Sequence, residues 1–321
     1  MKNFVLFILF CCFLFASLQT AYSESDLPED AKPYCETQYP IMLVPGVSGF
    51  DSILGIVDYW YQIPQSLVED GATVKCASLS AVESTAVRGE QLIIQIEEFL
   101  AETGKTKVNL IGHSHGTTTS RYVAYFRPDL VASLTLIAGP HKGTLAADFF
   151  LQSPDFAQEI LFSVANILGK MINLLGGHDY SQDAAAMFLD FSNNGESFNA
   201  LCPSTGLPVD GNREGDYSEI IDGNEIFYYS WTGDNGGITN LLDFVDPILA
   251  LFGKTIETYG EFNHDGLVQV ESTHFGKVIR DDYDWNHLDE VNLMFGLRRP
   301  FSSNPVSVIR HHVNLLQQQG L

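Results

Sequence analysis

The sequence predicts an α/β fold built on one mostly parallel sheet, and three observations carry that expectation. Apolar runs of strand length alternate with stretches of helical periodicity, the pattern of strands joined by crossover helices. Glycine and proline close the strand-like runs, as Pro45-Gly46 does after one and Gly139-Pro140 after another. At 321 residues and 45% hydrophobic content, the chain is long enough to bury the core of a single sizeable domain.

Taken in order, Met1-Lys2-Asn3, the apolar run from Phe4 to Leu18 and the small-residue site Ala21-Tyr22-Ser23 read as a secretory signal peptide over residues 1–23, cleaved after Ser23. The rival is an N-terminal membrane anchor, which the short run and the small residues after it disfavour. One lysine and no acid leave with the signal, taking the net charge from −23 to −24 over a single domain at 24–321. Such acidity speaks against nucleic acid and anionic membrane surfaces as partners and favours solubility; with the signal peptide, the mature chain is expected to be secreted, extracellular and monomeric. Of five cysteines, Cys11 and Cys12 lie in the signal. Cys35, Cys76 and Cys202 remain in an oxidising compartment, so one bridge at most forms within the chain, with Cys35–Cys76 as a candidate pair.

Residues 24–38 are a polar arm. Tyr39 to Val44 reads as the first strand, followed by the loop Val47-Ser48-Gly49-Phe50; Ala72 to Ser78 reads as the second. From Gly89 to Thr103, Leu92, Ile93, Ile96, Phe99 and Leu100 recur at helical spacing opposite Glu97, Glu98 and Glu102, so one face is buried. Val108 to Ile111 and Ala132 to Ala138 are the next strands. Pro154 to Gly177 is crowded with apolar residues, with Lys170 its sole charge after Glu159. It reads equally as a core helix or as a mobile lid over an apolar pocket. Asp179 to Asn224 is polar and reads as loops and short helices; Ile226 to Trp231 and Phe275 to Arg280 are strands, and Pro305 to Gln317 is a closing helix.

The chemistry sits at Gly112-His113-Ser114-His115-Gly116, where an apolar run ends in G-x-S-x-G and a helical stretch follows. This is the pattern of a nucleophile elbow, a serine on a tight strand-to-helix turn. With 27 glycines the bare pattern arises by chance in roughly one such sequence in six, so the strand before and the helix after carry the weight. A serine nucleophile needs a base and an orienting acid, which follow it in elbow-type enzymes in the order acid, histidine. Asp265, in an Asp-Gly turn, and His287, after the last strand, are well placed. His264, His274, His311 and His312 are rivals for the base, and Asp282, Asp284 and Asp289 for the acid.

Taken together, these stretches resemble the secreted true lipases of the Pseudomonas and Burkholderia type. The likeness runs through Phe50 to Gly55, Asp58-Tyr59-Trp60, Arg88 to Leu92, Val108 to Gly116, Arg127 to Leu130, Pro140 to Gly143, Asp265 to Val268 and Asn286 to Asn292. It implies an α/β-hydrolase fold with helices on both faces of the sheet and a helical lid at about 154–177. It implies hydrolysis of lipid esters such as triacylglycerol at an oil–water interface, with Ser114 as nucleophile, Asp265 as acid and His287 as base. The resemblance further implies an oxyanion hole from the backbone N–H groups of Val47 and His115, and dependence on a membrane-bound folding chaperone. No organic cofactor is implied. A structural calcium ion is, held by Asp243, Asp289 and the backbone carbonyls of Leu293 and Leu297, with Asp246 as an alternative to Asp243. Two departures stand out. Pro45 replaces the histidine that the family carries before the oxyanion loop, so that loop needs other support. Cys202 has no matching partner, because Glu271 stands where the family's second cysteine lies.

Overall fold

The computed structural model describes residues 33–192, 195–203, 217–243 and 245–321. The expected signal peptide at residues 1–23 and the first part of the arm lie outside the described residues. Among the described residues no helix is long and apolar enough to cross a membrane.

The sheet is organised around β1 (Ile41–Val44), β4 (Val74–Cys76), β5 (Val108–His113), β6 (Val131–Ile137) and β8 (Asn224–Gly233), which lie side by side in the order β4-β1-β5-β6-β8 and run parallel. The far edge of β8 is shared. β7 (Ser218–Ile221) pairs antiparallel with its first half, and β9 (Lys277–Tyr283) pairs parallel with its second half. A small hairpin, β2 (Ser52–Ile53) and β3 (Val57–Asp58), stands apart.

Strand alternation divides the core in two. From β1, Met42 and Val44 point to one face, where Leu110, Leu134 and Leu136 meet Leu92, Ile96 and Phe99 of α2 (Thr85–Thr103) and Val123 of α3 (His115–Phe126). Ile41 and Leu43 point to the other, where Ile111 and Ile137 meet Ile63 and Leu67 of α1 (Ile63–Glu69) and Ile309 and Val313 of α9 (Pro305–Gln318). The strands at the centre are covered on both faces, which is why they read as unbroken apolar runs. Between α3 and α9 come α4 (Leu145–Leu151), α5 (Asp155–Leu175), α6 (Ala184–Asp190), α7 (Glu196–Leu201) and α8 (Asp246–Glu257).

The expected elements fall within a few residues of these bounds, and several others are not expected, the seven-residue α4 among them. α1 buries only Ile63 and Leu67, too short a stripe to show periodicity. The hairpin β2–β3 has two-residue strands. α8, which has no counterpart among the expected elements, buries the stripe Leu249, Gly253 and Ile256. β7 was assigned to polar loops, yet Asp222 and Gly223 between it and β8 have φ of 49° and 79°, the two-residue hairpin turn that Asp-Gly favours. The cysteine pair is a second correction. Cys35, Cys76 and Cys202 are all free thiols, and the Cys35 sulfur lies 3.6 Å from Asp70 Oδ2 and from the Arg310 carbonyl.

Candidate active site

β5 runs directly into the elbow, and α3 begins one residue after the serine. Ser114 sits at φ 55° and ψ −125°, a conformation that an L-residue holds only where its surroundings enforce it. Its N–H donates to the Ile137 carbonyl at 2.8 Å, and its own carbonyl accepts from the Thr117 N–H and hydroxyl. The flanking glycines answer to close approach. A Cβ on Gly112 would stand 2.6 Å from the Gly116 carbonyl oxygen, and one on Gly116 only 2.2 Å from that of Val44. The serine is thereby fixed at the carboxyl ends of the central strands, where open α/β sheets bind their ligands.

The structure brings Asp265 and His287 together. His287 Nδ1 lies 2.7 Å from Asp265 Oδ2, and the His287 N–H donates to the Asp265 carbonyl at 2.8 Å. The second carboxylate oxygen accepts from the N–H groups of Leu267 and Val268 at 2.9 and 2.8 Å. A carboxylate pinned at three points and buried accepts the Nδ1 proton and leaves the His287 Nε2 lone pair as the base. The His287 ring also packs 4.6 Å from that of His113, the residue preceding Ser114.

The rivals are engaged elsewhere. His264 accepts from the Gly266 N–H, His274 faces Asp281, His311 meets Tyr34, and His312 is buried against Thr135. Asp282 pairs with Arg280, and Asp284 with Arg299.

The oxyanion loop is supported by two residues that the sequence reading gave no role. Arg88 is wholly buried, and its guanidinium donates to the carbonyls of Ser80, Pro45 and Gly46. Burial without a carboxylate lowers its pKa to about 9. Tyr59 accepts from the Gly46 N–H at 2.9 Å and lies 2.6 Å from His113 Nδ1. Together they hold the backbone of Pro45 and Gly46. Among the described residues the N–H groups of Val47 and His115 donate to no protein acceptor, as an oxyanion hole requires. One signal for Arg88 was present, since it falls four residues before Leu92 on the buried stripe of α2, where a charge is out of place.

Behind these groups His113, His115, His141 and His312 are all buried. Burial drives each ring's pKa down, to about 3 for His312, so all four are neutral. Glu290 is buried beside them, with its carboxyl pushed well up by burial and by Asp265. One of its oxygens accepts from the Gly233 N–H at 2.5 Å, and the other lies 3.9 Å from His113 Nε2.

Against known proteins, residues 39–222 match a family model described as the alpha/beta hydrolase fold. The triacylglycerol lipase of Vibrio cholerae is 46% identical over 293 residues, covering 90% of both chains. The chain belongs to the bacterial triacylglycerol lipase family. That of Burkholderia plantarii is 37% identical, covering 95% of this chain and 93% of its own. Among solved structures the Staphylococcus hyicus lipase superposes with a TM-score of 0.60 at 18% identity, over 92% of this chain and 98% of its own, which confirms the fold.

In this lipase-family chain the two expected carboxylate ligands of calcium, Asp243 and Asp289, are buried and form no ion pair among the described residues. Burial, with the charges of Asp246 and Asp243 added, pushes the Asp289 carboxyl up to about 7, and burial raises Asp243 as well. Among the described residues no group of three or more His, Cys, Asp or Glu is arranged to hold a metal; the expected set asks for two carboxylates and two carbonyls. Asp246, the alternative to Asp243, is buried beside these two acids. Its oxygens accept from the Thr239 N–H and hydroxyl, the Asn240 N–H and the Asn286 amide.

The expected lid is α5, a 21-residue helix whose fully buried residues are Gly169 and Asn173. Phe162 and Ala165 pack against Met187 and Phe188 of α6, while most of its apolar surface faces outward, with Ile160 61% and Leu174 74% exposed.

Proposed function

We propose that this chain is a secreted triacylglycerol lipase that cleaves long-chain fatty esters at an oil–water surface through an acyl-enzyme. The observation that carries the reading is the buried His287–Asp265 hydrogen bond behind an elbow serine, in a chain this similar to named lipases. Ser114 Oγ attacks the ester carbonyl carbon as His287 Nε2 takes its proton. The oxyanion of the tetrahedral intermediate is received by the Val47 and His115 N–H groups. His287 then protonates the leaving alcohol, and water repeats the cycle to release the fatty acid. Rates on emulsified long-chain triglyceride against dissolved short esters test the substrate class. A preference for the dissolved esters would make the chain a carboxylesterase.

α5 is the interfacial element of this reading. An outward apolar surface of this size is costly in water, at roughly 25 cal/mol per Å², and is stabilised by contact with acyl chains. Replacing Ile160 and Leu174 with serine should blunt the jump in rate as substrate passes its solubility limit by up to about a hundredfold, since two such side chains contribute about 3 kcal/mol when buried. Thermal stability should be unchanged, because neither residue is in the core. A rate profile like that of wild type would remove α5 from lipid contact.

Asp243, Asp289 and the carbonyls of Leu293 and Leu297 fit calcium by donor chemistry, because they are hard oxygens around an uncompensated buried charge. The ion would supply the missing positive charge and cross-link the His287 loop to the segment bearing Asp243. EDTA should lower the melting temperature by roughly 5–10 °C, the effect of losing a ligand at a hundred times its Kd. Asp289→Ala should show the same loss with calcium present. A melting temperature indifferent to EDTA would exclude the site.

A further inference from the structure

The segment Leu79–Val82 lies between α5 and the oxyanion loop, and its backbone groups serve both. On one side the Leu79 N–H donates to the Gly49 carbonyl at 2.8 Å, the Ala81 carbonyl accepts from the Ser48 N–H at 3.0 Å, and the Ser80 carbonyl accepts from Arg88. On the other side the Leu79 carbonyl accepts from the Asn173 side-chain amide at 3.1 Å, and the Ala81 N–H donates to Asn173 Oδ1 at 3.3 Å. Asn173 is 2% exposed on a helix that is otherwise largely outside. Gln182 completes the link by donating to Asn173 and accepting from the Val82 N–H at 2.9 Å.

The short strip 79–82 is thus hydrogen-bonded edge to edge, with the oxyanion loop along one edge and a single side chain of α5 along the other. We infer that Asn173 is a positioning residue for the oxyanion hole. It docks α5 with its apolar side outward and, through Leu79–Val82, braces Ser48 and Gly49 next to Val47. The helix position that meets lipid is then the one in which the oxyanion donors are aimed. Contact with a surface and stabilisation of the tetrahedral intermediate are coupled through one amide. The inference rests on the lipase reading for its consequence, but the coupling itself is measurable without substrate.

The test is hydrogen exchange at the Ser48 and Leu79 amides, with and without micelles of a non-hydrolysable ether lipid, alongside kinetics on dissolved p-nitrophenyl butyrate and emulsified trioctanoin. In the wild type, micelles should slow exchange at both amides. Asn173→Ala should exchange faster at both, gain no protection from micelles, and lose roughly tenfold in kcat with KM for the dissolved ester little changed, part of what removing one oxyanion donor costs. Asn166→Ala is the control. Asn166 also fastens α5, accepting from the Ala184 N–H at 2.8 Å, but to α6 and not to the strip. It should leave exchange at Ser48 and Leu79 as in wild type. Equal exchange changes in both variants would reduce Asn173 to a helix anchor, and wild-type exchange in Asn173→Ala would overturn the coupling outright. Should Asn173→Ala not fold, Gln182→Ala, which removes the brace at Val82 and Asn173, should give a smaller effect of the same sign, and none if the inference is wrong. If exchange behaves as expected while Ser114→Ala retains wild-type hydrolysis, the coupling stands and the lipase reading falls.

Discussion

Ser114→Ala should lower kcat for ester hydrolysis by roughly 10⁴- to 10⁶-fold, while the protein keeps its wild-type melting temperature. Alanine removes the attacking oxygen without disturbing its supports. The Ser114 N–H still reaches the Ile137 carbonyl, and the Ser114 carbonyl still accepts from Thr117. His287→Ala should cost a similar factor, because without Nε2 the hydroxyl proton has nowhere to go. The double variant should be little worse than either, since residues that act as one unit do not add. p-Nitrophenyl butyrate hydrolysis, with enzyme-free solution as baseline, measures all three. A Ser114→Ala protein within tenfold of wild type would mean that another group is the nucleophile.

Arg88→Ala should be strongly destabilising, by roughly 3–5 kcal/mol, the cost of breaking a buried charged network. Its guanidinium is donor to three backbone carbonyls, and two of these, at Pro45 and Gly46, begin the oxyanion loop. Truncation strands those oxygens in the interior and leaves a void where a large side chain was fully enclosed. Arg88→Lys keeps the charge but cannot span a fork of acceptors, so it should recover only part of the stability and little of the activity. Urea denaturation followed by kinetics on the folded fraction separates the effects. Unchanged kcat in folded Arg88→Lys would show that the loop stands on Tyr59 alone.

Much of this architecture was legible in the residues. The parallel sheet follows from runs such as Ile41–Val44 and Val131–Ile137, which are buried on both faces, and the elbow from its two glycines, whose Cβ positions are occupied by neighbouring backbone. Asp265 and His287 were legible as candidates from chain order and turn chemistry, but spacing alone could not separate them from their rivals. Only the fold shows that His264 and His274 are already engaged. The supports of the oxyanion loop were hidden for a different reason. Arg88 lies 43 residues from Pro45, Tyr59 13 from Gly46 and Asn173 94 from Leu79, so local pattern carries no trace of their partners. β7 is hidden because four residues are too few to show alternation.

The four buried neutral histidines have a consequence for the protein in acid. In the unfolded chain each imidazole takes up a proton as pH falls below about 6.5, whereas in the folded state burial forbids it until far lower pH. Unfolding therefore binds more protons than the native state holds. Stability is full above the unfolded pKa and falls beneath it, each ring adding about 1.4 kcal/mol per pH unit to the slope. With four rings titrating together, the histidines make acidification below about pH 6.5 destabilising, an effect opposed by the raised carboxyls of Asp289 and Glu290, which take up protons in the folded state before the unfolded one.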